Sequence, residues 1–504
     1  MKRLLGPIII IVLLIVLIFS LQPTQAMAKV ISWISNSSIF SNTIVGTTAP
    51  SLPSPTPSDR TVGLFYNDPR AWVGYTLMAP KQSHDTYLIN NKGQFVHKWS
   101  SSYTPGQSAY LESNGNLIRA ASMPNPDVDT GGGDGGRIEE YDWSGNLTWS
   151  VNWSTTTYVQ HHDFVPMPNG NVMMLVAEKY TYDQAVAAGF NPSHLNAVSN
   201  KTYILPDSII EVNRSGAVVW EWHVWDHLIQ DYDNTKLNCG VVKDHPELID
   251  VNGGNTSNNT VAVFWNHFNA ITYNPSLDQV MVSCRSNSEI WIIDHSTTSA
   301  QSAGHSGGNN GRGGDLIYRW GNPAQYEVPG AQQSLFQQHC GMWIPDNYPG
   351  AGHILIFNNG IGRGYTSTDE VITPLDANDN YTLTTGAAYG PTSAVWSYEA
   401  KPPTSFYSDE ISSVQRLPNG NNLICSGVNG TLFEVTAGGK IVWKYVNPIA
   451  DINTILNYNG AIPTDPNKPT QLKNEVFRVL RYAPDYPGLV GKTLTSLGNI
   501  ETGP

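Results

Sequence analysis

The chain has 504 residues, of which 14% are charged, and its 28 Lys and Arg against 41 Asp and Glu give a formal net charge of −13. That balance excludes a nucleic-acid partner, because nothing offsets the repulsion of phosphates. With 45 Gly, 33 Pro, 15 Trp and 24 Tyr, and no long period-3.6 segment after residue 21, the composition predicts an all-β chain with scarce helix.

Lys2 and Arg3 precede an apolar run over residues 4–21, and Ala26-Met27-Ala28 then offers the small-x-small pattern that a signal peptidase reads. The run is also long enough to span a bilayer with its basic end in the cytoplasm, so residues 1–28 read as a signal peptide or a membrane anchor. Either way the remainder is expected to be exported, in the periplasm or the extracellular space. Residues 29–65, rich in Ser, Thr, Asn and Pro, read as a stiff linker.

From residue 66 two modules alternate. One is an alternating strand, an Asn-Gly or Asp turn and a second apolar strand, as in AYLESNGNLIRA (109–120) and SSVQRLPNGNNLICSG (412–427). The other is a hairpin ending in Trp, as in SIIEVNRSGAVVWEW (208–222) and TLFEVTAGGKIVWKY (431–445). Asn-Gly between period-2 apolar runs predicts tight primed turns, which need positive φ. Two hairpins make one four-stranded unit, and Trp99, Trp149, Trp220, Trp320, Trp396 and Trp443 close six of them. Radial repetition of such units is a β-propeller, here six-bladed over residues 66–480 with a C-terminal tail at 481–504. The competing arrangements are a β-sandwich array and a seventh blade built from 184–206 or 366–390.

In three units a histidine stands seven residues ahead of the residue that opens the turn: His162 before Asn169, His267 before Asn274 and His339 before Asp346. Equal position in a repeat means equal position around a ring, so the three imidazoles should converge. The corresponding position of two other units holds Gln107 and Ser412. On the return strands, the residue six after Asn171, Gln279 and His353 is Ala177, Arg285 and Asn359. A hairpin brings its second strand back to where the first began, so Arg285 is expected beside His267. A guanidinium beside imidazoles suits a compact oxyanion, which accepts two parallel hydrogen bonds from the planar fork.

Asn269, two residues after His267, shares its face and offers a neutral donor to the same anion. His161 and Asp163 flank His162 and by strand alternation should face away as packing or network partners. Arg363 reads as an exposed loop arginine. The competing readings of the cluster are interior histidines satisfied by hydrogen bonds and a salt-bridged blade arginine.

Zinc on the three imidazoles is disfavoured, because Arg285 would repel a dication and no carboxylate shares the register. No metal and no other cofactor is therefore expected. Asp127, Asp129 and Asp134 in PDVDTGGGDGG (126–136) lack the later ligands of a calcium loop, and the stretch reads as a flexible loop. Cys239, Cys284, Cys340 and Cys425 permit two disulfides in an oxidising compartment, with three pairings, against the alternative of thiols buried behind the site.

The strings HDFVPMPNGN (162–171), WNHFNAITYNP (265–275), SCRSNSEIWIIDHS (283–296), GGDLIYRWGNP (313–323), QHCGMWIPD (338–346) and VQRLPNGNNLI (414–424) occur in this order. Jointly they resemble the bacterial arylsulfate sulfotransferase (arylsulfotransferase) family, over roughly residues 70–447. The resemblance implies an exported six-bladed propeller that transfers sulfuryl groups from an aryl sulfate donor to a phenolic acceptor, by a ping-pong route through a sulfated histidine and without a cofactor. It makes His339 the nucleophile, and His162, His267, Asn269 and Arg285 the residues that hold the sulfuryl oxygens or serve the leaving oxygen, with Thr404 as a further substrate contact. The family's separate N-terminal β-domain is expected to be absent or replaced by the short linker, so its dimer is not carried over.

Such chemistry suits these residues, since sulfuryl transfer through a loose, in-line transition state asks mainly for positioning and charge balance. Two other function classes remain open to the sequence: a surface-anchored binding propeller for sulfated or anionic glycans, and a metal-dependent hydrolase.

Overall fold

The computed structural model describes residues 59–195, 203–253, 263–466 and 468–503; the expected leader or anchor at 1–28 and the linker up to residue 58 lie outside them. Six four-stranded antiparallel sheets follow one another as blades. Blade II is the simplest, running outward through Pro105–Leu111, Leu117–Ser122, Gly136–Tyr141 and Leu147–Asn152. Blade III is Tyr158–Pro166, Val172–Glu178, Asp207–Val212 and Val218–His223, and blade IV is Phe268–Asn274, Gln279–Cys284, Glu289–Asp294 and Tyr318–Trp320. Blade V is His339–Trp343, Ile354–Asn358, Ser367–Val371 and Trp396–Tyr398. Blade VI is Ser413–Arg416, Asn422–Ser426, Thr431–Val435 and Ile441–Val446.

Blade I joins the two ends of the propeller. Its strands Tyr75–Pro80, Asp85–Asn90 and Phe95–Ser100 come first in the chain, but its innermost strand is Val476–Tyr482, which pairs antiparallel with Tyr75–Pro80. Reciprocally, Gly63–Asn67 adds a fifth, outer strand to blade VI. The innermost strands of the six blades pack side by side in a closed ring around the axis. Beyond Tyr482 the chain stays packed on the blades, with Leu489 and Ile500 buried.

The six tryptophans that mark the units all lie on fourth strands, and each reaches the next blade. The indole N–H groups of Trp99, Trp149, Trp320, Trp396 and Trp443 donate to the carbonyls of Asp142, Arg214, Pro391, Ala437 and Asn91, and that of Trp220 donates to the Thr297 hydroxyl. A large ring with a single donor thus bridges each seam and satisfies its own polar atom there. Between sheets the core is aliphatic: Ile118, Ala120 and Ile138 of blade II meet Phe164, Met174 and Ile210 of blade III. Full burial of one such isoleucine or phenylalanine contributes about 1.5–3 kcal/mol.

The expected primed turns are replaced by a longer kind. In Met167-Pro168-Asn169-Gly170, the Gly170 N–H donates to Met167 O and the Met167 N–H to Asn171 O, and Gly170 has φ +84 whereas Asn169 is not left-handed. This is a type I turn closed by a left-handed glycine. Here Pro168, whose ring fixes φ near −65°, bars the positive value that a primed turn needs, and the same turn forms without proline at Glu112–Gly115.

No seventh blade forms among the described residues. Of residues 184–206, those described hold the end of the short helix Tyr182–Ala187 and the turn Pro192–Leu195, and 366–390 supplies the third strand of blade V. No disulfide forms among the described residues, since Cys239 is exposed and alone while Cys284, Cys340 and Cys425 are buried free thiols.

Candidate active site

The innermost strands of blades III, IV and V are interrupted by β-bulges where the histidines lie. Gln160 pairs with Val176 and Phe164 with Met174, so residues 161–163 oppose a single residue; Asn269 and Cys340 are the extra residues in blades IV and V. His162, His267 and Cys340 take left-handed backbone at φ 50, 54 and 51. Non-glycine residues in that region are uncommon and strained, and bulges there re-aim side chains toward the axis.

Four sequence-predicted residues come together. The rings of His162 and His267 lie 5.0 Å apart between centroids, and the Arg285 N–H donates to His267 O. The Arg285 charge is close enough to hold down the basicity of both His267 and His339. Burial, and after it Arg285, pushes His339 down to about 3. Burial and then the imidazoles of His267, His161 and His339 with Lys81 hold His162 well below the ordinary range, and burial with Arg285 does the same to His267. All three rings are therefore neutral near pH 7.

Arg285 stands apart from the other interior arginines. Arg319, Arg416, Arg478 and Arg481 pair with Glu289, Glu370, Asp163 and Glu434. The guanidinium of Arg285 has no hydrogen-bond or ion-pair partner among the described residues, only the longer-range fields of Glu410, Asp409 and Tyr407. An unpaired, half-buried cation facing neutral imidazoles is a receptor for an anion.

Asn359 fixes the tautomer of His339. Its Nδ2 donates to Ser408 O and Ile411 O, and both carbonyls can only accept, so its Oδ1 is turned to His339 Nδ1 at 2.8 Å. That oxygen also only accepts, which puts the imidazole proton on Nδ1 and leaves a lone pair on Nε2. Sequence counting had placed Asn359 in register with Arg285 without giving it a role.

His161 and Asp207 were not assigned to the site. The left-handed turn at His162 cancels strand alternation, so His161 Nδ1 faces His162 Nδ1 at 2.9 Å instead of pointing away. Behind it His161 Nε2 lies 2.7 Å from Asp207 Oδ1, a contact of ion-pair length in which the N–H is not aimed along the line of centres. The other oxygen of Asp207 accepts the Phe268 N–H. Asp163 is held separately by Arg478, Tyr110 and the Ile271 N–H, which leaves it a network role. Phe264 stacks on His267 at 4.5 Å, closing one wall with an apolar ring.

Four expectations change. Asn269 is fully buried and donates to Gln338 O, one residue before His339, so that proton steadies the neighbouring strand rather than an anion. Thr404 lies exposed in the turn Pro403–Ser405, and no contact among the described residues joins it to the histidines or Arg285. The Asp-Gly stretch 126–136 is pinned over the site: His162 N–H donates to Asp134 O, Gln107 donates to Gly132 O, and a Cβ on Gly133 would stand 2.4 Å from His162 Cε1. Arg363 is half-buried, donating to Asn358 O and Ser367 Oγ.

The chain is similar in structure to a protein of unknown function from Bacteroides caccae, at 13% identity and TM-score 0.40 over 74% of this chain and 94% of that one. It is also similar to a virginiamycin B lyase from Staphylococcus aureus, at 8% identity and TM-score 0.31 over 68% and 71%. Neither likeness bears on activity. No curated protein matches the chain. The family model described as Arylsulfotransferase (ASST) matches residues 75–458, three quarters of the sequence and all of the propeller but the strands Gly63–Asn67 and Val476–Tyr482, and the chain belongs to that family of sulfotransferases.

Proposed function

We propose that the protein moves a sulfuryl group from an aryl sulfate ester to a phenol in two displacements through His339. The observation that carries this reading is the juxtaposition of a neutral His339, its proton held on Nδ1 by Asn359, with the unpaired guanidinium of Arg285. In the first displacement the Nε2 lone pair attacks sulfur, the S–O(aryl) bond breaks, and the phenolate departs with the bonding pair. Arg285 binds the sulfuryl oxygens through donors already desolvated and in place, an effect worth about 2.7–4 kcal/mol per donor lost. In the second, the phenol oxygen attacks sulfur, the N–S bond breaks, and the phenolic proton passes to His162.

His162 is suited to that proton because its Nδ1 meets His161, which backs onto Asp207. Burial disfavours imidazolium here, but an incoming sulfate monoester brings negative charge beside the rings and raises their basicity when a proton must be held. Residues 4–21 serve in this proposal as the leader or anchor that carries the propeller out of the cytoplasm.

The test is intact-mass analysis after brief exposure to a chromogenic aryl sulfate, followed by a phenol chase. A gain of one sulfuryl group on the His339 peptide, lost on chase, is the expected result. Chromophore release without an adduct would overturn the two-step route, and tight binding of a sulfated glycan with no turnover would favour a binding propeller.

A further inference from the structure

A second cluster of histidines lies on the outer part of blade IV's neighbourhood, separate from the three at the axis. His227 ends the short turn Val224–His227 that follows blade III, and His305 and Asp315 sit in the loop before the fourth strand of blade IV. His227 Nδ1 and His305 Nδ1 both approach one oxygen of Asp315, Oδ1, at 2.9 and 2.7 Å. The three potential ligand atoms all lie within 4.8 Å of one another.

The protons do not suffice for three neutral hydrogen bonds. His227 Nε2 is 2.8 Å from Ser302 O, and a carbonyl only accepts, so Nε2 carries the hydrogen of a neutral ring. Its Nδ1 is then a bare lone pair facing a carboxylate oxygen inside the protein, where His227 has no exposed side-chain surface. Two lone pairs at 2.9 Å repel unless a second proton or a metal cation sits between them. A ring nitrogen anchored to a backbone carbonyl with the opposite nitrogen turned to a carboxylate is also the arrangement that orients histidine ligands in metal sites.

The surroundings favour the cation. Residues 303–315 hold six glycines, a segment whose ordering costs more backbone entropy than any other composition. The segment nevertheless approaches closely: a Cβ on Gly314 would stand 1.9 Å from Ser302 O and 2.7 Å from His227 Nε2, and Trp222 Nε1 donates to Gly314 O. The His305 side chain is 62% exposed, which leaves water a path to a fourth position. We propose that His227, His305 and Asp315 form a binding site for a divalent transition-metal ion of the zinc class, which staples the glycine-rich loop 303–315 to the end of blade III. Zinc bonds of about 2.0–2.2 Å to imidazole and carboxylate set tetrahedral ligand separations of about 3.3–3.5 Å, so occupancy asks the three atoms to spread by roughly half an ångström. Binding leaves the His305 proton on Nε2, where it meets solvent.

The experiment uses the full chain without an affinity tag, stripped by chelator and titrated with zinc, with stoichiometry read by elemental analysis. The rate of hydrogen exchange over 303–315 is the second readout. One equivalent per chain is expected, with exchange in the loop slowed at least tenfold and the melting temperature raised by several degrees through mass action. His305→Ala, at an exposed position that the fold tolerates, loses the equivalent and both effects, while aryl sulfate turnover is unchanged. His339→Ala keeps the equivalent, which separates this site from the axial histidines and from the sulfotransfer reading. No bound zinc in the parent chain, or an equivalent that survives His305→Ala, overturns the proposal and leaves a protonated His227 paired with Asp315.

Discussion

His161 and His162 are consecutive in the chain and yet face one another, Nδ1 to Nδ1 at 2.9 Å. One of the two nitrogens must donate, and the acceptor on the far side of His161 is Asp207. In the proposed route the pair would give the proton taken from the phenol a second place to reside. His161→Phe is expected to slow transfer to the acceptor by about 10²-fold, the usual range for a lost acid–base partner, while the burst that sulfates His339 keeps its rate. Rapid-quench measurement of both phases decides this, and equal slowing of burst and steady state would assign His161 to structure alone.

Arg285 lacks the carboxylate that Arg319, Arg416, Arg478 and Arg481 have, and also the backbone carbonyls that satisfy the buried Arg119. Arg285→Met removes a cation held for an absent anion, so kcat/KM should fall by about 10²–10³, while the melting temperature rises. Calorimetry of the ligand-free variant is the check. A lower melting temperature would mean that the guanidinium holds the fold rather than the substrate.

Asn359→Asp replaces a neutral acceptor by an anion on the same Nδ1 of His339. An opposite charge at that distance stabilises imidazolium by 1–3 pKa units or about that, which withdraws the Nε2 lone pair from the nucleophile. The acid limb of kcat/KM for the sulfation step is expected to move from near 3 toward neutrality. A pH profile that superimposes on the parent's would rule out tautomer control by Asn359.

His339 is neutral in the fold down to about 3, against an ordinary value of 6.5 in the unfolded chain. Between those two pH values the unfolded state binds more protons, so stability attributable to this ring is lost as pH falls, at about 1.4 kcal/mol per pH unit. In His339→Gln that slope is absent. Denaturant titrations from pH 6.5 to 4 should show the stability of the parent declining relative to the variant by about that amount per unit, and a constant difference would show that the ring protonates in place.

Gly133 has no left-handed requirement of its own, but a methyl there would stand 2.4 Å from His162 Cε1. Gly133→Ala must displace the ring or the loop, so a fall in turnover of about 10-fold or more is expected with little change in melting temperature. Retention of full turnover would show that the loop 126–136 yields without moving His162.

Much of this molecule was legible in the sequence. The six Trp-closed hairpins predict six blades because each fourth strand sends one large ring to the next blade, and each tryptophan donates across that seam. Counting from the turns brings His162, His267, His339 and Arg285 to one end of three blades because a hairpin's register is set locally. Period-2 reasoning fails where it meets the bulges at residues 161–163, Asn269 and Cys340: the extra residues, with left-handed backbone at His162, His267 and Cys340, reverse the side chains beside them. Hence His161 turns inward and Asn269 backward. Asp207 beside His161, Asn359 under His339 and Ser302 behind His227 lie 20 to 75 residues away in the chain, so these contacts come from strand pairing within blades III and V and from the packing of blade III on blade IV rather than from neighbouring sequence. Local pattern determined which residues could do chemistry; long-range packing decided which atoms of them face one another, because hydrogen-bond direction and desolvation are properties of the assembled interior.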